Sequence, residues 1–204
     1  MSDTLEPSKK QQVIDYAKNH PIVRPSDLTR LGLPKDYLYQ LSKEQVLVRI
    51  GRGMYQWPNR RAGNNQSLIE AVKQAPNAVV ALLSALSFHE LTTQNPHEIW
   101  LAIDRKSWRP KIQYPPVRFV TLSGQLMSEG VERHTVDGEG LKVFSVARTV
   151  VDCFKYRHKI GLEVALEALR EGWLEKRFTI DELVRYAELC RVKNVMQPYL
   201  ESLV

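Results

Sequence analysis

Between Leu33 and Trp57 the stretch LPKDYLYQLSKEQVLVRIGRGMYQW gathers side chains suited to one kind of chemistry. Lys35, Asp36, Tyr39 and Gln40 are polar and fall on the N-terminal half of a segment whose Tyr37, Leu38 and Leu41 recur at helical spacing. A DNA recognition helix needs polar side chains there, because that end reaches base edges in the major groove. Gln pairs bidentately with adenine, and Lys contacts guanine. Downstream, Arg49 and the Gly51-Arg52-Gly53 turn place two cations where a wing binds phosphates or enters the minor groove. Arg24 before this stretch, and Arg60 and Arg61 after it, are further candidates for the DNA backbone. Tyr37 suits either a phosphate contact or the core.

The elements that must hold these groups can be read outward. Ser8 to Asn19 has the apolar stripe of an amphipathic helix in Val13, Ile14 and Ala17, and Asn19-His20-Pro21 ends it. Ile22 and Val23 make a short extended link able to pair with the wing. Ser26 is an expected N-cap for a helix over 27–31, which Gly32 closes. Pro34 fits the first position of the next helix. After Lys43-Glu44-Gln45 the period changes, and Val46, Val48 and Ile50 alternate with Leu47 and Arg49 as in a strand. Met54 to Trp57 returns as its partner. This order is a winged helix-turn-helix. A small helical bundle whose hairpin contacts protein is the alternative.

Charge agrees with a nucleic-acid-binding head. The 204-residue chain has a formal charge of +6, and residues 1–61 hold 11 Lys+Arg against 6 Asp+Glu, whereas residues 62–204 hold 18 against 17. A basic solvated surface would give the same figures. Pro58 to Asn65 is polar, contains Pro and Gly and lacks a hydrophobic period. The expected organisation is a winged helix-turn-helix domain over 1–60, a linker over 61–66 and an α+β domain over 67–204. In the latter, helices are expected over 67–74 and, within the apolar stretch 78–91, as a buried helix at least from Leu82. Strands are expected over 98–104, 117–122, 131–136 and 141–144, the last two joined by the hairpin signal Asp137-Gly138-Glu139-Gly140. Ser145 caps a helix over 146–154, and Thr179-Ile180-Asp181-Glu182 is a capping box. Helices are also expected over 162–173 and 195–203. The fold class is thus α+β, with a small sheet and a helical C-terminal third.

No catalytic set emerges, and an enzyme is not expected. His20, His89, His97, His134 and His158 are scattered without metal-ligand spacing, and phosphate-loop, dinucleotide and nucleophile-elbow motifs are missing. No cofactor or metal is expected. Asp104 near Lys106 resembles part of a nuclease site, but no further carboxylate is tied to it, and a loop charge pair explains both. His89 is expected to be a hydrogen-bonded core or rim histidine, and Ser84-Ala85-Leu86 a close-packed helix face. Cys153 and Cys190 are expected as buried thiols. The N-terminal residues lack a signal-peptide apolar core, and no apolar run reaches membrane-span length. A cytoplasmic location without membrane contact is the expectation.

Several segments together resemble the AbiEi-type antitoxins of abortive-infection, type IV toxin–antitoxin systems. They are Arg49-Ile50-Gly51-Arg52-Gly53-Met54-Tyr55, Leu83-Ser84-Ala85-Leu86 and Ser145-Val146-Ala147-Arg148-Thr149, in this order along nearly the whole chain. The resemblance implies a phage-defence protein that represses its own operon through winged-helix binding to inverted repeats in promoter double-stranded DNA. It also implies counteraction of a nucleotidyltransferase-like toxin without a stable complex. Monomers, or a weak dimer, would then bind DNA cooperatively. A stand-alone regulator is the alternative, and a nuclease with a winged-helix targeting domain a more distant one. Arg148 carries two readings: with Asp152 four residues on, it pairs on one helix face, or it joins Lys106, Arg109, Lys111 and Arg118 on a basic surface of the C-terminal domain.

Overall fold

The computed structural model describes residues 8–20, 22–58, 65–94 and 96–203. They fall into two compact units, one within Met1–Glu70 together with Thr135–Glu139, the other within Ala71–His134 and Gly140–Val204.

The first unit opens with α1 (Lys9–Asn19), capped by the Ser8 hydroxyl, which accepts from the Gln11 N–H at 3.2 Å. Then come α2 (Pro25–Arg30) and α3 (Asp36–Lys43), followed by β1 (Val48–Gly51) and β2 (Met54–Gln56). Ser26 is not the cap of α2. Pro25 occupies the first turn, where its missing N–H is no loss, and the Asp27 carboxylate reaches back to accept the Arg24 N–H at 2.9 Å. Gly32 does close α2, with φ +67°, and two bonds finish the helix: Gly32 N–H to Thr29 O at 3.2 Å and Leu33 N–H to Leu28 O at 2.9 Å. Pro34 stands before α3 rather than at its first position, because the entry is a tight turn with Leu38 N–H bonded to Lys35 O.

β1 pairs antiparallel with β2, and the expected Val23 link is present as a bridge to Tyr55, with N–H···O distances of 2.8 and 3.0 Å. The expected alternation does not hold. Leu47 is buried, Val48 is exposed, and the register slips between Arg49 and Gly51. The strand begins only at Val48, so Leu47 is free to plug the core. That core joins Val13 and Ala17 of α1, Leu28, Leu33, Leu38 and Leu41 to Val23, Leu47 and Tyr55.

The remaining elements are α4 (Gln66–Gln74), β3 (Val79–Val80), α5 (Leu82–Phe88), β4 (Ile99–Asp104), β5 (Val117–Leu122), α6 (Gln125–Ser128), β6 (Val131–Val136), β7 (Glu139–Phe144), α7 (Val146–Lys155), α8 (Arg157–Ile160), α9 (Leu162–Leu174), α10 (Ile180–Cys190) and α11 (Lys193–Glu201). The strands form one sheet ordered β5-β4-β3-β7-β6. β4 runs parallel to β5 from Ile99↔Val117 to Asp104↔Leu122 and antiparallel to β3, which is parallel to β7. Leu101 to Ile103 are all buried, as in a strand covered on both faces. β6 and β7 meet at Asp137-Gly138, both with positive φ, the two-residue turn that an Asp-Gly pair favours. Ahead of the helix expected at least from Leu82, which is α5, Val79 and Val80 of the same apolar stretch form β3. α7 packs against α5, α9 and α10 and is buried from Ala147 to Phe154 without a break. No helix is long and apolar enough to cross a membrane among the described residues.

Candidate nucleic-acid interface

α3 divides cleanly between two faces. Leu38 and Leu41 are buried in the core of the first unit, and Tyr37 packs half-buried against it. Lys35, Asp36, Tyr39, Gln40 and Lys43 are exposed. Positions 36, 39, 40 and 43 recur at helical spacing, so these groups share one face. Tyr39 is 56% exposed and the Lys43 ammonium lies 4.8 Å from its ring centroid. Lys43 was absent from the sequence-based candidates, yet its place seven residues beyond Asp36 is the signal that assigns it to this face.

The wing carries Arg49 and Arg52, both exposed. Arg52 stands at the tip, where Gly53 takes φ +67°, a backbone state that a residue with Cβ resists. The Arg49 Nε donates to the Gly51 carbonyl at 3.2 Å, which holds that guanidinium along the strand. Neither Arg49 nor Arg52 forms an ion pair among the described residues.

Arg24 is placed differently. Its guanidinium is half-buried, its Nη2 donates to the Met54 sulfur at 3.7 Å, and its Nε is buried with no hydrogen-bond partner among the described residues. Burial lowers its pKa, and the Asp27 charge opposes that shift. Part of Arg24 therefore serves the packing of α2 against the hairpin. Nearby, Asp27 is 5% exposed and accepts from the Arg30 guanidinium at 2.6 Å. Lys10 pairs with Glu44 at 2.7 Å, joining α1 to the end of α3. Arg60 and Arg61 lie outside the described residues.

In the second unit the basic candidates separate. Lys106, Arg109 and Lys111 are exposed on the segment between β4 and β5. Arg118 is exposed on β5 but committed: it pairs with Glu98 at 2.9 Å, and its guanidinium lies 4.9 Å from the Trp100 ring centroid. Arg148 does not belong to any surface, and the surface reading is corrected. It is 0% exposed because α7 is buried on all sides. Its Nε donates to Asp152 at 3.1 Å, and its two Nη atoms donate to the Glu129 and Leu126 carbonyls at 2.8 Å each. The Cys190 thiol donates to the other Asp152 oxygen at 3.4 Å. Burial pushes the Cys190 pKa up to about 12 and raises that of Cys153 well above its ordinary value. Both cysteines are free thiols.

The remaining polar candidates have structural partners. His89 Nε2 is 2.7 Å from the Phe144 carbonyl, and burial lowers the pKa of the ring. The Ser84 hydroxyl accepts the Trp100 N–H at 2.8 Å. An Asp104 oxygen accepts the Lys106 backbone N–H at 2.7 Å, so this carboxylate shapes the turn after β4.

Comparison with known proteins agrees with the geometry of the first unit. Residues 11–58 match the family described as transcriptional regulator, AbiEi antitoxin. No curated protein matches the chain. Among solved structures, the RV2827C protein from Mycobacterium tuberculosis is similar in fold, with a TM-score of 0.60 at 14% identity, covering 91% of this chain and 73% of that one. The matched segment runs from α1 through the wing, so the similarity to that family of transcriptional regulators lies in the winged helix-turn-helix head over residues 11–58.

Proposed function

We propose that the protein is a sequence-specific DNA-binding repressor that acts as the antitoxin of a type IV toxin–antitoxin system. It silences its own operon by binding inverted repeats at the promoter and counteracts a nucleotidyltransferase-like toxin without requiring a stable complex. The observation that carries the DNA-binding part is that Lys35, Asp36, Tyr39, Gln40 and Lys43 on or at the start of α3 and the wing cations Arg49 and Arg52 are all exposed. Family similarity over residues 11–58 supports the antitoxin and repressor roles. In this reading α3 enters the major groove, Gln40 and Lys35 read base edges, and Arg52 meets phosphates or the minor groove.

Binding of the purified chain to its own promoter region tests this directly. Arg52→Ala should weaken binding and flatten the salt dependence by about one phosphate contact. Gln40→Ala should instead cost about 1–3 kcal/mol on the preferred site and little on other sequences, if Gln40 pairs with a base. Unchanged affinity and salt slope for Arg52→Ala would remove the wing from the interface. Deleting this chain beside an intact neighbouring toxin should arrest growth, and growth without arrest would leave only the regulator.

A further inference from the structure

The segment between β4 and β5 carries a second surface that the head does not explain. From Arg105 to Ser128 the sequence contains five cations and no Asp or Glu. Arg105, Lys106, Arg109 and Lys111 are exposed, and Arg105, Lys106 and Lys111 form no ion pair among the described residues. Two aromatic side chains stand among them, Trp108 at 79% exposure and Tyr114 at 65%. An indole left in water forfeits a large burial energy, so a side chain of this size in the open marks a contact surface.

The segment is anchored. The Asp104 carboxylate holds the Lys106 N–H at its start, and the Gln74 side-chain amide donates to the Tyr114 carbonyl at 2.8 Å near its end. Between these anchors Trp108 walls a cleft of about 310 Å³, whose other sides come from Gln74, Asn77, Ser107, Pro76 and Pro110. The cleft thus offers a flat aromatic face, apolar proline edges and a few amide and hydroxyl groups, with cations outside it.

We propose that this surface binds single-stranded nucleic acid, with one base stacked on Trp108 in the cleft and neighbouring phosphates on Lys106, Arg109 and Lys111. A duplex hides the faces of its bases, so a phosphate-binding surface for duplex alone has no use for an exposed indole and phenol. An unpaired strand presents base faces and backbone charge together, which is what interleaved aromatics and cations recognise. The surface lies wholly in the second unit and does not depend on what the head binds.

The test uses the full chain and fluorescence anisotropy with labelled oligo(dT) and oligo(U) of about 15 nucleotides, a length within known single-strand site sizes, beside a labelled random-sequence duplex. Both single strands, or one, should bind at low salt, and the stronger of the two identifies DNA or RNA as the source. Trp108→Ala should weaken that binding by about tenfold or more while leaving the duplex unchanged, and Trp108→Phe should restore most of it. Lys106→Ala and Lys111→Ala should each flatten the logarithmic salt dependence by about 0.7. The exposed position of Trp108 makes misfolding of these variants a minor concern, and circular dichroism checks it. The proposal is overturned if neither oligonucleotide binds, if Trp108→Ala binds both as tightly as the parent, or if it weakens single strand and duplex equally. It is also overturned if Trp108→Ala leaves the oligonucleotides untouched and dissociates an oligomer on sedimentation, which would make the patch a protein contact. Arg52→Ala serves as the separate control, because its effect on duplex reports on the head alone.

Discussion

Arg148 shows how far a single buried charge can organise its surroundings. All three guanidinium nitrogens are used: Nε on Asp152, and the two Nη atoms on the carbonyls of Leu126 and Glu129. The carbonyls belong to α6 and the turn after it, so α7 fixes that connection through one side chain. Gly130 lets the turn come close, since a Cβ there would lie 2.9 Å from that of Arg148. Removing the guanidinium leaves Asp152 buried without its cation, a change that costs about 3–5 kcal/mol in comparable pairs. Arg148→Met should therefore lower the unfolding free energy by about that amount in urea titration, and adding Asp152→Asn should recover part of the loss. If the single variant is as stable as the parent, the pair contributes nothing beyond packing. The sequence made the spacing of Arg148 and Asp152 legible, and with it one partner. The two carbonyl partners were not legible, since they lie 22 and 19 residues away and depend on how α6 meets α7. Exposure of Lys35, Asp36, Tyr39 and Gln40 was legible because the apolar positions of α3 define the opposite face.

Element boundaries follow the same division between local and distant causes. The Thr179 box is visible in four residues, and its two backbone bonds form, Thr179 N–H to the Glu182 carboxylate at 2.8 Å and Glu182 N–H to the Thr179 hydroxyl at 3.2 Å. The Asp137-Gly138 turn is equally local. β3 is not: two valines become the middle strand only because β4 and β7 flank them, and Leu82 then starts α5 with φ +48°. The end of α3 holds a local feature that sequence reading passes over. Gln45 takes φ +58°, and the surrounding bonds, Gln45 N–H to Ser42 O at 3.2 Å and Val46 N–H to Leu41 O at 2.9 Å, are those of a glycine-type helix stop. A side chain there carries a conformational cost of about 1 kcal/mol. Gln45→Gly should thus raise the thermal midpoint of the head, by an amount matching about 0.5–1 kcal/mol. A lower midpoint would mean that the Gln45 side chain makes a contact worth more than the strain.

At the scale of the whole molecule, charge is distributed in a way that gives the two units separate signatures in salt. Among the described residues, the exposed candidate cations of the head are Lys35, Lys43, Arg49 and Arg52, none of them in an ion pair there. If Lys43, Arg49 and Arg52 each meet one phosphate of duplex DNA while Lys35 reads a base edge, binding of one head should follow a logarithmic salt slope of about −2.7. Two chains on an inverted repeat should then show about twice that slope, and a duplex carrying one half-site should show the single value. The second unit has its exposed cations between β4 and β5, with aromatic faces beside them. Part of its affinity comes from stacking, which salt does not screen, so single-strand binding should fall off more gently with salt than duplex binding does. Titrating the same preparation with both probes from low to high salt distinguishes the two surfaces without any mutation. Parallel curves would point to one shared surface, and a half-site slope equal to that of the full repeat would show that only one head engages the duplex.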